Sequence, residues 1–155
     1  MEKQIVLFIE YIHNNKKTSN NTEMSYKRDL LKVVDYLKTK GYKSWDSVSY
    51  DVLQEYIQTM FDNNFANSSI SRSIASIKAL FGFLQMTGVV SEDVSKSLKA
   101  PKIEKKMPSI LSKNEVNLLL AQPSGKNPKQ IRDKAMLELL YATGIKVSEL
   151  IDLKI

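Results

Sequence analysis

The chain has 155 residues, 43% hydrophobic and 26% charged, and a formal net charge of +6 with a pI near 9.4. These values admit one or two small globular domains and favour a polyanionic partner. The absence of cysteine excludes disulfides, thiolate metal sites and a cysteine nucleophile, and fits a reducing cytoplasm.

The N-terminal apolar run is broken by Glu10 and ends in polar residues with no small-residue cleavage site, so neither a signal peptide nor a membrane span is expected. Residues 2 to 14 place Ile5, Phe8, Ile9 and Ile12 on one helical face. Thr22 is positioned to cap a second helix with the inward stripe Tyr26, Leu30, Val33, Val34 and Leu37, ending near Gly41. A third helix starts near Ser49 and carries Val52, Leu53, Tyr56, Ile57, Met60 and Phe61 up to the turn Asp62-Asn63-Asn64. From Ser68 a longer fourth helix runs to Met86, with Ile70, Ile74, Ile77, Phe81 and Leu84 inward and Gly88 closing it. Four helices with short connections and no convincing strand predict an all-α bundle over residues 1–100.

Between Ser91 and Ser112 the composition turns basic, with Lys96, Lys99, Lys102, Lys105 and Lys106 facing few acids and with Pro101 and Pro108 opposing helix. This reads as an extended linker, centred on residues 101–111. Ser112 and Glu115 form a capping box ahead of Val116, Leu119 and Leu120. A further helix is predicted over Gln130 to Ala142, with Ile131, Ala135, Met136 and Leu139 inward and Thr143-Gly144 as its stop. One more turn begins, and Leu150 and Leu153 still need a partner surface. The region 112–155 therefore reads as the cut-short start of a second domain.

Nothing in the chain resembles a Gly-rich phosphate loop or a metal-binding tract, and His13 is the lone histidine. On the fourth helix, Ser69, Arg72 and Ser76 share a face, with Lys78 further round. Ser and Arg together can donate to phosphates or to base edges in a major groove. Lys27, Arg28 and Lys32 lie off the apolar stripe of the second helix in the same manner. The linker lysines can track a phosphate backbone and release its counterions. Each of these groups is also compatible with a merely solvated face. Trp45 reads as a packing anchor, and spacing nominates no tyrosine as a nucleophile.

The run Tyr141-Ala142-Thr143-Gly144-Ile145-Lys146-Val147-Ser148-Glu149-Leu150 closely resembles the first catalytic motif of the tyrosine recombinases, the phage-integrase and Xer-type family. Asn21-Thr22 with Tyr26 and Asp29-Leu30 resembles the second helix of that family's core-binding, SAM-like domain. Ser68-Ser69-Ile70-Ser71-Arg72 through Ser76-Ile77-Lys78 and Phe81 resembles its last long helix. Pro101-Lys102, Pro108 and Leu111-Ser112 resemble the interdomain linker, and Arg132-Asp133 fits the helix before the motif. The resemblance implies a clamp around double-stranded DNA, with Lys27, Arg28, Ser69, Ser71, Arg72, Ser76, Lys78, Lys102, Lys105 and Lys106 as DNA contacts. In such a family a tyrosine attacks the scissile phosphate, two arginines stabilise the developing charge, and no metal or other cofactor is required.

Two departures bear on chemistry. Lys146 stands where the family has its first catalytic arginine, and a lysine offers a point charge in place of a bidentate fork. The sequence also ends before the family's catalytic lysine, its His-x-x-Arg box and its nucleophilic tyrosine, so this chain by itself is expected not to be an enzyme. A third departure, Asp93-Val94-Ser95-Lys96 where many relatives show Asn-Pro, concerns only the start of the linker. The expectation is DNA binding within a site-specific recombinase that is homotetrameric on DNA when intact. As a fragment it would be a monomer, cytoplasmic and without membrane contact. The competing readings are a stand-alone DNA-binding regulator that has lost catalysis and a helical protein-interaction module whose basic surface only solubilises it.

Overall fold

The computed structural model describes residues 1–103 and 107–154. Among these residues the regular structure is entirely helical, and the chain divides into two compact units, Met1–Glu104 and Lys105–Ile155.

The first unit is built on α1 (Glu2–Lys16), α2 (Asn20–Thr39), α3 (Tyr50–Asp62) and α4 (Asn67–Met86). The period-3.6 stripes land where the sequence puts them: Ile5, Phe8 and Ile12 of α1, Leu30, Val33, Val34 and Leu37 of α2, and Leu53, Tyr56, Ile57 and Met60 of α3 are buried. Tyr26, Val52 and Ile9 pack against this core half-buried, while Phe61 is exposed. The cap of α2 is Ser19, three residues before the expected Thr22. Its extended backbone lets Oγ accept the Thr22 N–H at 3.3 Å, the N3 donor that an N-cap serves.

The central element is α4, which packs against α1, α2 and α3. It buries Ile70, Ser73, Ile74, Ser76, Ile77, Leu80, Phe81 and Leu84, more than a single stripe. Trp45, in the α2–α3 connection, stands edge-on to Phe81 with centroids 5.7 Å apart, and its Nε1–H donates to the Met1 carbonyl at 3.1 Å. One side chain thus fastens the N-terminus and a long connection to the central helix.

The expected linker begins later than Ser91. Val90, Ser95 and Leu98 are buried, and the Asp93 carboxylate accepts both the Ser95 N–H, at 2.9 Å, and its hydroxyl. The polar-looking stretch Asp93-Val94-Ser95-Lys96 is therefore a turn that belongs to the first core. Pro101–Ile103 and Met107–Ser112 are non-helical.

The second unit contains α5 (Lys113–Ala121), α6 (Pro128–Thr143) and α7 (Val147–Ile151). The capping box on α5 forms as read, with the Glu115 carboxylate accepting the Ser112 N–H at 2.7 Å and the Ser112 hydroxyl oxygen accepting the Glu115 N–H at 3.3 Å. Asn127 caps α6, Pro128 occupies its first turn, and Gly144 closes it in the left-handed conformation at φ 67°. The inward assignment on α6 fails: Ile131 is 57% exposed and Met136 and Leu139 are each 38% exposed. Three short helices enclose too little volume to bury a face, so the described residues of this unit include no core residue.

Candidate nucleic-acid interface

Because α2 turns Leu30, Val33, Val34 and Leu37 inward, its opposite face carries Met24, Lys27, Arg28, Leu31, Lys32 and Asp35 at helical spacing. These six line a shallow groove of about 460 Å³. Three cations against one carboxylate make it basic, and Met24 and Leu31 give it an apolar floor. Among the described residues no carboxylate lies within ion-pair distance of Lys27, Arg28 or Lys32. The Lys32 ammonium also sits 5.7 Å from the centre of the Phe65 ring.

Arg72 of α4 reaches across to α2. Its Nε–H and Nη2–H donate to the two carboxylate oxygens of Asp29, at 2.7 and 3.1 Å. The Asp29 side chain is only 6% exposed and that of Arg72 is 43% exposed, so a buried carboxylate holds a guanidinium at the surface. The carboxylate raises the Arg72 pKa further above its already high value. Tyr56 lies beside this pair at 6% exposure. Burial pushes its phenol pKa up, the Ser73 hydroxyl opposes that rise, and the negative charge of Asp29 adds to it.

The other residues nominated on α4 separate. Ser69 is half-buried at the surface. The Ser71 hydroxyl donates to the Pro101 carbonyl at 3.4 Å, and Asn67 Nδ2 donates to the Lys102 carbonyl at 3.3 Å, so the first turns of α4 hold the chain where it leaves the core. The Lys78 ammonium donates to the Lys96 carbonyl at 3.0 Å. Ser76 has no exposed surface, and its hydroxyl donates to the Ser73 carbonyl at 2.8 Å. Its assignment as a DNA contact is corrected: the spacing from Ser69 put both on one face, but that side of α4 turns into the core by Ser76. Lys102 is exposed, whereas Lys105 and Lys106 lie outside the described residues.

Lys146 is in the second unit as the N-cap of α7. Its backbone N–H donates to the Glu149 carboxylate at 2.7 Å and its side chain is exposed. Sequence reasoning missed Asp29 and Asn67 as working groups. Asp29 carried a signal, being a carboxylate at the edge of an apolar stripe; Asn67 carried none. His13 is at the surface, with Nδ1 3.1 Å from the buried Glu23 carboxylate.

The first unit thus presents a basic face on α2, an oriented guanidinium at the α2–α4 boundary, and an exposed lysine where the chain leaves the first core. Such donors suit phosphate oxygens. Among the described residues there is no cluster of potential metal ligands and no helix long and apolar enough to cross a membrane.

Residues 5–88 match the family model for the phage integrase N-terminal SAM-like domain, and residues 109–155 match that for the phage integrase family. The chain is 34% identical over 154 residues to tyrosine recombinase XerC of Roseiflexus sp. (strain RS-1), covering 99% of this chain and 49% of that protein. It is 36% identical over 146 residues to tyrosine recombinase XerD of Vibrio cholerae serotype O1, covering 94% of this chain and 48% of that protein. The chain therefore spans about half the length of the curated relatives it matches.

Proposed function

Because this chain belongs to the phage integrase family, we propose that it binds duplex DNA and contributes the DNA-gripping part of a site-specific tyrosine recombinase. The observation that carries this reading is the basic α2 face, which lies within the matched SAM-like region. Residues 1–100 form the core-binding domain, 101–111 the linker that crosses the duplex, and 112–155 the first part of the catalytic domain. Lys27, Arg28 and Lys102, with Lys105 and Lys106, neutralise phosphates. Arg72 and Ser69 provide directional donors close to the backbone, Ser71 supports them by tying the start of α4 to the Pro101 carbonyl, and Lys78 adds a charge beside Lys96.

The activity of the whole protein is strand exchange through a covalent phosphotyrosine, carried out in the cytoplasm by a homotetramer assembled on two DNA sites, with no cofactor. Lys146 occupies the position of a transition-state-stabilising arginine. As a point charge it stabilises the developing phosphorane charge less than a two-pronged guanidinium would.

Binding of a fluorescently labelled, mixed-sequence 30-base-pair duplex, followed by anisotropy across a salt series, tests the reading. Changing Lys102, Lys105 and Lys106 together to Gln is expected to flatten the log-affinity against log-salt line by about 2 to 3 units. Changing Lys27 and Arg28 to Gln flattens it by about 2. Unchanged slopes in both variants would remove these residues from the interface, and a chain that binds no duplex at low salt would instead support a protein-interaction module.

A further inference from the structure

A guanidinium offers two forked edges, one formed by Nε–H with one Nη–H and one formed by the two Nη groups at the tip. In Arg72 the side edge is fully occupied by Asp29, through Nε at 2.7 Å and Nη2 at 3.1 Å. The tip edge has no partner among the described residues, and the side chain is 43% exposed. Asp29 itself is enclosed by the α2–α4 packing, close to the buried Tyr56, so it cannot swing out to follow a moving arginine.

Two of the expected consequences of such a pair point in opposite directions. Electrically, Asp29 cancels the charge of Arg72 and adds a negative group near a surface meant for phosphate. Geometrically, it fixes the plane and direction of the fork, which would otherwise sample many rotamers. We propose that the geometric effect dominates: Asp29 is a positioning residue that holds Arg72 so that its tip N–H pair meets a DNA phosphate or guanine edge end-on. This rests on the DNA-binding reading above and adds to it a residue that never touches the nucleic acid. It also rules out the side-edge fork of Arg72 as the base-reading group, since that edge is engaged within the protein.

The opposition of sign makes the proposal testable in the full chain. Asp29→Asn removes a negative charge, so electrostatics alone predicts equal or tighter binding to the 30-base-pair duplex. Positioning predicts binding weaker by about tenfold at constant salt, with the salt slope retained because Arg72 stays charged. In an Arg72→Ala background the same change has no fork to release, and the loss disappears. Arg72→Lys supplies a second reading if Asp29→Asn folds poorly: it keeps the charge but cannot bridge a carboxylate and a phosphate pair, and is expected to weaken binding similarly. Wild-type binding together with Asp29→Asn binding as tightly or more tightly would overturn positioning while leaving DNA binding intact. Lack of duplex binding by the wild-type chain would overturn both, and Arg72→Lys binding at the wild-type level would overturn the need for a fork.

Discussion

Replacing Ile77 by Ala tests whether α4 is the spine of the first unit. Ile77 has no exposed surface and sits between the buried Ile74 and the buried Leu80 and Phe81 on the same helix. The change deletes three carbons, worth about 2.4 kcal/mol at about 0.8 kcal/mol per buried methylene, and the incompletely collapsed cavity brings the loss to about 3 to 4 kcal/mol. Trp45 is the single tryptophan of the chain and packs edge-on to Phe81, so its fluorescence reports this core directly. With a urea dependence of about 1.5 kcal/mol per molar, the midpoint falls by about 2 to 2.7 M. Val6→Ala, on a residue of α1 that is 47% exposed, serves as the control and shifts the midpoint by less than about 0.5 M. A shift for Ile77→Ala no larger than that for Val6→Ala would refute the placement of α4 at the centre of the core.

Three further outcomes are expected. Ser76→Ala leaves duplex affinity within about twofold of wild type in the anisotropy assay, because the hydroxyl serves only the Ser73 carbonyl; a clear loss would return Ser76 to the interface. The Thr18 hydroxyl, with His13 adding to it, holds the Glu23 carboxyl below its ordinary value of 4.5. The unfolded chain therefore binds this proton first, so the stabilisation is complete above pH 4.5 and disappears as pH falls through the lowered folded value. Glu23→Gln should make urea stability less steep on acidification below that point, and an identical pH profile would contradict the contact. Ser112→Ala removes the α5 cap at a cost of about 1 kcal/mol, visible as faster amide hydrogen exchange in the first turn of α5.

The helices of the first unit were legible because each interleaves apolar residues at the helical period with polar ones, and the stop signal at Gly88 needs the left-handed backbone it adopts. The limits of α4's inward side were not legible. A small serine such as Ser76 can be buried if a local carbonyl takes its proton, and nothing in its type distinguishes that from solvent exposure. Residues 91–98 read as linker because their composition is polar, yet Ser95 and Leu98 are buried at a turn whose donor and acceptor lie two residues apart. On α6 the periodicity was correct for a helix and silent about burial, since an apolar stripe states a need for a partner and not its presence.

On the basic face of α2, Lys27, Arg28 and Lys32 could be read from their position off the apolar stripe. The union of Arg72 with Asp29 could not, because the residues are far apart in sequence and meet only through the packing of α2 on α4. Lys146 was found through its motif alone.

The most direct test of the central claim is the affinity of the unaltered chain for the 30-base-pair duplex at 50 and 200 mM monovalent salt. If Lys27, Arg28, Lys102, Lys105 and Lys106 neutralise about five phosphates, the log–log slope is about −4.5 and affinity falls by about 500-fold between those concentrations. A flat response, or no binding at the lower salt, would contradict the account.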